Sequence, residues 1–373
     1  MVYSLRLPLG YSRTFEGGFT VDILGLLKEL FSGVLYLFTA EGLKTLVMFV
    51  ISGVLIYLAI KKDYEPALLL PIGFGAILAN LPPVIDQVTG SATASVLGSE
   101  GFLTVLFNAG IKNELFPVLI FIAVGAMIDF SPLLKDPSMI FFGAAAQFGI
   151  FATFLLSLVL IPIVLPQTAG NDSLILRLAS AIGIIGAADG PTTLYVANHF
   201  NLADYMAPIS VAAYSYMSLV PVIQPPVIRA LTSKEERMIR MTYTEERASK
   251  LALILFPVIV TVVAGVVVPM SAPLVGSLMF GNLIRECGVL ERLSKTAQNE
   301  LANLVTILLG LAIGSTMVAQ NFLRMDTLLI LALGLFAFVF DTAGGVLFAK
   351  FLNLFRKNKV NPMIGAAGIS AFP

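Results

Sequence analysis

A chain of 373 residues in which nine apolar residue types make up 57%, before its 31 glycines are counted, and charged residues only 12% is not a soluble globule, where roughly 25% is charged. Lys plus Arg and Asp plus Glu balance at 23 each, and no basic patch interleaved with aromatics appears, which excludes a nucleic-acid binder. The single cysteine, Cys287, allows neither an internal disulfide nor a Cys-rich metal cluster.

In chain order, residues 1–42 form an N-terminal segment. Within it, residues 21 to 38 read as an amphipathic or additional spanning helix, not as a cleavable signal ahead of a polar domain. The windows "LKTLVMFVISGVLIYLAI" (43–60), "SMIFFGAAAQFGIFATFLLSLVLIPIVL" (138–165), "LALILFPVIVTVVAGVVVPM" (251–270) and "TLLILALGLFAFVFDTAGGVLFAKFLNLF" (327–355) reach the roughly 20 residues needed to cross a hydrocarbon core. Other apolar segments, at 66–83, 115–130 and 272–287, and the strings "GAADGP" and "GAAGISAFP", are short or interrupted by Gly and Pro. Non-helical backbone at membrane depth is tolerated only where it lines a cavity or is buried in protein. The pattern predicts an all-α polytopic membrane protein.

The two halves echo one another. "NELFPVLIFIAVGAM" from Asn113 resembles "NELANLVTILLGLAIGSTM" from Asn299. Each is preceded by a short segment and followed by a charged link and a long helix, and then by "IGAADGP" (185–191) or "IGAAGIS" (364–370). Interrupted helices in matching positions predict two inverted structural repeats, residues 43–231 and 251–373, whose short re-entrant or broken helices meet near the bilayer midplane. Between them, residues 232–250 carry five basic and four acidic residues, a bias that places this connector on the cytoplasmic side. It reads either as a solvated link or as a docking surface for a soluble partner.

Asp189 is the residue that composition explains least. A carboxylate near the midplane costs at least about 2.5 to 3.5 kcal/mol. Pro191 has no amide hydrogen and would clash with the Ala187 carbonyl in a continuous helix, so the turn around Asp189 is expected to unwind. The carboxylate, the freed carbonyls and the hydroxyls of Thr192 and Thr193 would form an all-oxygen cluster of the kind that binds hard cations. Asp189 as the N-cap of the following helix, with Pro191 in its first turn, is the plainer reading, and the two are compatible.

The second break offers Asn361, Ser370 and carbonyls but no acid, a set that suits Na⁺ or H⁺ better than Ca²⁺. Tyr214 and Tyr216 lie in an apolar helix where a packed aromatic is the plain expectation. Asp341 is the other deep acid, and Asp129 reads as a boundary residue. The lone histidine, His199, reads as an interfacial residue. No Walker A sequence is present, so ATP hydrolysis does not drive the protein.

At this point the strings "EPALLLPIGFGAILANLP", "AIGIIGAADGPT", "VAAYSYMSLVPVIQPP", "GNLIRECGVLERLS" and "NPMIGAAGISAFP" resemble the β subunit of the sodium-pumping, biotin-dependent decarboxylases, over about residues 43 to 373. The resemblance implies a subunit that removes CO₂ from carboxybiotin presented by a biotin carrier, consumes a proton from the outer side and exports Na⁺. The partners it implies are carboxyltransferase and biotin-carrier subunits and a small γ or δ membrane subunit, in a trimeric assembly in the inner membrane. By matching motif positions it implies Asp189 and Tyr216 as catalytic residues and Asp189, Asn361 and Ser370 as Na⁺ ligands. Thr192, Asn282, Gly365 and Asp341 are further candidate ligands. Family members continue past the "SAFP" string into a helix bearing another asparagine, so the resemblance also implies ligands beyond those named. A secondary carrier, such as a cation/proton antiporter or an organic-anion symporter, fits the repeat and the broken helices equally well. A passive anchor does not fit the cost of Asp189.

Overall fold

The computed structural model describes residues 11–13, 19–21, 31–63, 66–82, 84–85, 92–93, 101–241, 248–356 and 359–368. Ser370 and residues 22–30 of the expected helix at 21–38 lie outside the described residues, and Ser32–Leu37 of it is helical. Five helices are long and apolar enough to cross a membrane, or six if one bent pair is counted as a span. Apart from two short antiparallel pairs, in which Tyr11 lies opposite Val21 and Val84 opposite Thr93, the described residues form helices, turns and loops.

The longer helices are α1 (Ala40–Lys62), α2 (Pro66–Ala79), α3 (Leu115–Met127), α4 (Ile140–Ala146), α5 (Phe148–Val164), α6 (Asp172–Ile184), α7 (Gly190–His199), α8 (Met206–Leu231), α9 (Lys250–Val267), α10 (Ala272–Glu286), α11 (Ala302–Gly314) and α12 (Met325–Leu352). Helices α1, α5 and α9 bury few of their apolar side chains inside the protein, as surfaces facing lipid tails do. Helix α12 is apolar and more than half buried, which makes it the central post of the fold.

The expected single helix over 138–165 is interrupted at Gln147, where α4 gives way to α5. No Pro or Gly occupies that position. Instead, the amide of Ile150 leaves the helical ladder and donates to Asp341 Oδ1, 3.1 Å away on α12. This tertiary bond satisfies a backbone donor that the interruption would otherwise orphan.

The short helices pair across the two halves. Helix α2 packs against α11, and α10 packs against α3. Glycines permit both crossings: a methyl on Gly314 would lie 2.4 Å from the Ile72 carbonyl oxygen, and one on Gly281 would lie 2.0 Å from that of Ile122. An asparagine closes each pair. Asn80 donates to the carbonyls of Ala76 and Met317 and accepts from the Ala319 amide; Asn282 donates to the carbonyls of Gly125 and Ile128. A π turn precedes each helix that receives a short partner, at Asn108–Lys112 before α3 and at Ala297–Leu301 before α11.

Candidate functional site

The first break lies between α6 and α7. Helix α6 tightens into a 3₁₀ turn at Ile185–Ala187, Ala188 takes a left-handed conformation at φ 51°, and Asp189 is extended. A left-handed alanine costs about 1–2 kcal/mol, so packing around it must hold it there, and Ala188 is fully buried.

Asp189 is the N-cap of α7, with Pro191 in the first turn. Its Oδ1 accepts from the Thr192 amide at 3.0 Å and its Oδ2 from the Thr192 hydroxyl at 2.6 Å, while its carbonyl accepts from the Thr193 hydroxyl at 2.8 Å. The N-cap reading of Asp189 is met, and its bonds bring the side chains of Thr192 and Thr193 to the turn. Asp189 is half-buried.

Helix α8 runs past both breaks. Tyr214 is fully buried, with its ring so close to Gly190 that a methyl there would lie 2.5 Å from Cε1. Tyr216, two residues on, points toward α12, where its hydroxyl donates to the Leu331 carbonyl and its ring packs on Gly334. Of the two tyrosines, it is Tyr214 that lies against the Asp189 turn. Further along α8, Gln224 Nε2 donates to the Ala366 carbonyl at 2.9 Å, linking α8 to the second break. Sequence reasoning passed over Gln224; its amide inside the apolar string "PVIQPP" was the available signal.

The second break is a 3₁₀ segment, Pro362–Gly368, packed on α12. Gly365 lies directly on Gly345 of α12. Asn361 ties the break to the connector: its Nδ2 donates to the carbonyls of Arg237 and Ile239 at 3.0 and 3.1 Å, and its Oδ1 accepts from the Met363 amide. Among the described residues, no hydrogen bond joins Asn361 to Asp189.

The breaks come together at α12. The fully buried Asp341 carboxylate sits between Gly149 of α5 and Gly186 of the first break; methyls on these glycines would lie 2.6 Å from Oδ1 and 2.4 Å from Oδ2. Gly345, which meets Gly365, is four residues on, about 6 Å along the helix axis. Gly186 and Gly365 thus approach neighbouring turns of one helix. The amide nitrogen of Asn282, by contrast, serves the α10 and α3 pairing described above, and the His199 ring lies edge-on to Phe200 at the end of α7.

A buried acid, two interrupted segments packed on one central helix and a lipid-facing perimeter describe a polytopic membrane protein. Residues 44–373 match the family model described as the Na⁺-transporting oxaloacetate decarboxylase beta subunit. The chain belongs to this family. It is 44% identical to the methylmalonyl-CoA decarboxylase subunit beta of Propionigenium modestum, over 90% of this chain and 85% of that protein. It is 42% identical to the probable oxaloacetate decarboxylase beta chain of Vibrio cholerae, over 94% and 89% of the two chains. It is 46% identical to the glutaconyl-CoA decarboxylase subunit beta of Acidaminococcus fermentans, over 88% and 80%. This β subunit is a multi-pass membrane component of a Na⁺-translocating decarboxylase, and as a β subunit it works within a multi-subunit complex. The family expected from the sequence strings is the family found.

Proposed function

We propose that this β subunit decarboxylates carboxybiotin inside the membrane and couples that step to Na⁺ export through Asp189. The observation that carries the proposal is the built cluster at the first break, where a carboxylate and two threonine hydroxyls converge on an unwound turn. Na⁺ is the cargo; Asp189, Thr192 and carbonyls of the break are its first ligands, and Gly365, Asn361 and Ser370 of the second break complete the set as the breaks shift.

In the chemical step the bond between the ureido nitrogen and the carboxyl carbon breaks. Its electron pair returns to nitrogen, which takes up one proton, and CO₂ leaves. Charge is more dispersed at the transition state than on the N-carboxylate, so transfer from water to a poorly solvated cavity destabilises the ground state more, in the desolvation view of such reactions. Tyr216, fixed on α12 by Leu331, positions the reacting ureido group, and Asp189 alternates between Na⁺ and the proton. Expelling each Na⁺ costs about 2.3 kcal/mol per 100 mV, which the decarboxylation supplies.

Two inverted repeats, residues 43–231 and 251–373, form the framework for this motion. The exchanged pairing of α2 with α11 and α10 with α3, the matched asparagines and the matched π turns support that division, with the breaks moving as a body against the paired short helices. The biotin carrier and carboxyltransferase approach from the connector side, a small γ or δ subunit completes the membrane part, and the assembly is trimeric.

The test is joint. Streptavidin should capture this subunit together with a biotinylated protein, and inverted vesicles should take up ²²Na⁺ only when supplied with oxaloacetate, methylmalonyl-CoA, glutaconyl-CoA or malonate. A secondary carrier would bring down no biotinylated partner and would release no CO₂ from the acid, whether or not the acid drives Na⁺ uptake.

A further inference from the structure

The string Asn-Glu-Leu occurs at residues 113–115 and again at 299–301, and the two copies fold differently. At the second, the helix runs unbroken through its π turn, from Glu291 to Gly314. At the first, the helix that ends at Lys112 meets α3 at 59°, and Glu114 at the junction is left-handed at φ 62°. The cause is local. Pro117 has no amide hydrogen, and its ring would clash with the Asn113 carbonyl in a continuous helix, whereas Asn303 holds the matching position of the second copy. The ladder therefore parts at 112–114, and a residue other than glycine is held there in a sparsely populated conformation.

A side chain from α7 closes the break. Asn198 Nδ2 donates to the Lys112 carbonyl at 3.0 Å and to Glu114 Oε1 at 2.8 Å; both partners accept, so the amide nitrogen is the atom that serves them. Three residues back on α7, the Tyr195 hydroxyl donates to the Met270 carbonyl at 2.7 Å, in the 3₁₀ turn Pro269–Ser271 ahead of α10. Residues three apart are neighbours on a helix surface, so one end of α7 is tied to the entrances of both α3 and α10. At the other end, nine residues or about 14 Å along the axis, stands Asp189. Beyond Pro191, α7 contains neither Pro nor Gly, the usual sources of a kink, and a rotation at one end is carried to the other.

We propose that Asn198 is a positioning residue for Na⁺ loading: by locking the far end of α7 to the bend before α3, it holds the Asp189 turn in its ion-accepting orientation. The inference rests on Asp189 binding Na⁺ and adds the residue that keeps it aimed. The bonds from Thr192 to Asp189 lie within the first turn of α7 and move with it. They fix the carboxylate relative to its own helix, and the bonds of Asn198 and Tyr195 fix that helix relative to the α3 and α10 pair. When a binding-competent arrangement is only fractionally populated, apparent affinity falls by that fraction, while a site filled at saturating Na⁺ reacts as before. Loss of the Asn198 bonds is thus read in the half-saturating Na⁺ concentration and not in turnover.

The experiment uses the intact decarboxylase complex in proteoliposomes, with acid decarboxylation followed as Na⁺ is varied. Asn198→Asp replaces the donor by a carboxylate that faces an acceptor carbonyl and the Glu114 carboxylate. The expected result is a half-saturating Na⁺ concentration raised several-fold, with turnover at saturating Na⁺ within about twofold of wild type. Adding Glu114→Gln gives the new carboxylate a donor and should return the half-saturating concentration toward the wild-type value, a rescue that general loosening of the fold would not produce. Unchanged half-saturation, reduced turnover at unchanged half-saturation, or a double variant no better than Asn198→Asp would each overturn the proposal. Should Asn198→Asp fail to assemble, Glu114→Gln alone decides: it keeps the shape and an acceptor oxygen but weakens a charge-assisted bond, so half-saturation should still rise, and an unchanged value contradicts the proposal. A wild-type complex whose decarboxylation did not depend on Na⁺ would instead defeat the functional reading of Asp189 itself.

Discussion

Gly345 and Gly365 meet backbone to backbone. A methyl on Gly345 would lie 2.0 Å from the Gly365 carbonyl oxygen, and one on Gly365 would lie 1.9 Å from that of Gly345. This contact seats the second break on α12, and no side chain can enter it without moving one of two main chains. Gly345→Ala is therefore expected to lower the stability of the complex by about 1–3 kcal/mol, as overpacking does, and to slow Na⁺ transport. Thermal unfolding in detergent and ²²Na⁺ uptake check both effects.

The paired asparagines make a comparative prediction. Asn80→Ala would strip the buried carbonyls of Ala76 and Met317 of a donor and the Ala319 amide of its acceptor. Asn282→Ala would strip only the carbonyls of Gly125 and Ile128. Each unsatisfied buried group costs about 1–3 kcal/mol, so both variants lose stability and Asn80→Ala loses more. Equal melting temperatures for wild type and Asn282→Ala would remove the structural role given to that residue.

The connector carries a pH dependence. Glu236 Oε2 accepts from the Ser233 amide in the capping box of the Lys234–Arg237 helix, and Oε1 pairs with Lys350 at 3.2 Å. The Ser233 bond, with the lysine assisting, holds the Glu236 carboxyl below its ordinary value of 4.5. A depressed folded value means that this stabilisation is present above about pH 4.5 and is lost as pH falls through the lower folded value. Hydrogen-exchange protection factors at residues 233–239, taken relative to the intrinsic rate at each pH, should fall on acidification over that window, and Glu236→Gln should be less protected at neutral pH and lose that pH dependence.

The first break predicts an asymmetry between the tyrosines. Tyr216→Phe removes the donor to the Leu331 carbonyl and should lower decarboxylation more than it lowers stability. Gly190→Ala should displace the Tyr214 ring, whose Cε1 would lie 2.5 Å from the new methyl, and disturb the Asp189 turn. The split between turnover and half-saturating Na⁺ distinguishes them: Gly190→Ala should change the Na⁺ term and Tyr216→Phe the turnover term.

Much of this was legible in the sequence because the signals are local. The break at 185–191 follows from Pro191 and Gly190, the cap from the spacing of Asp189 and Thr192, and the spans from length and composition. The interruption at Gln147 was not legible, because isolated glycines such as Gly143 and Gly149 are tolerated in apolar helices; it coincides with the bond from Ile150 to Asp341, 191 residues away in sequence. Asn80 was equally hidden, since it reads as the end of a short helix until Met317 and Ala319 are brought beside it. Asn361 was expected beside the cation, yet its amide nitrogen is committed to the connector at Arg237 and Ile239, a contact no motif announces.

The most direct test of the account is Asp189→Asn in the assembled complex, reading acid decarboxylation and ²²Na⁺ uptake into inverted vesicles together. The Asn side chain can still cap α7 but carries no charge to exchange Na⁺ for H⁺, so both activities are expected to vanish while the subunits remain associated. A variant that continues to pump Na⁺ would contradict the assignment of Asp189 as the coupling carboxylate.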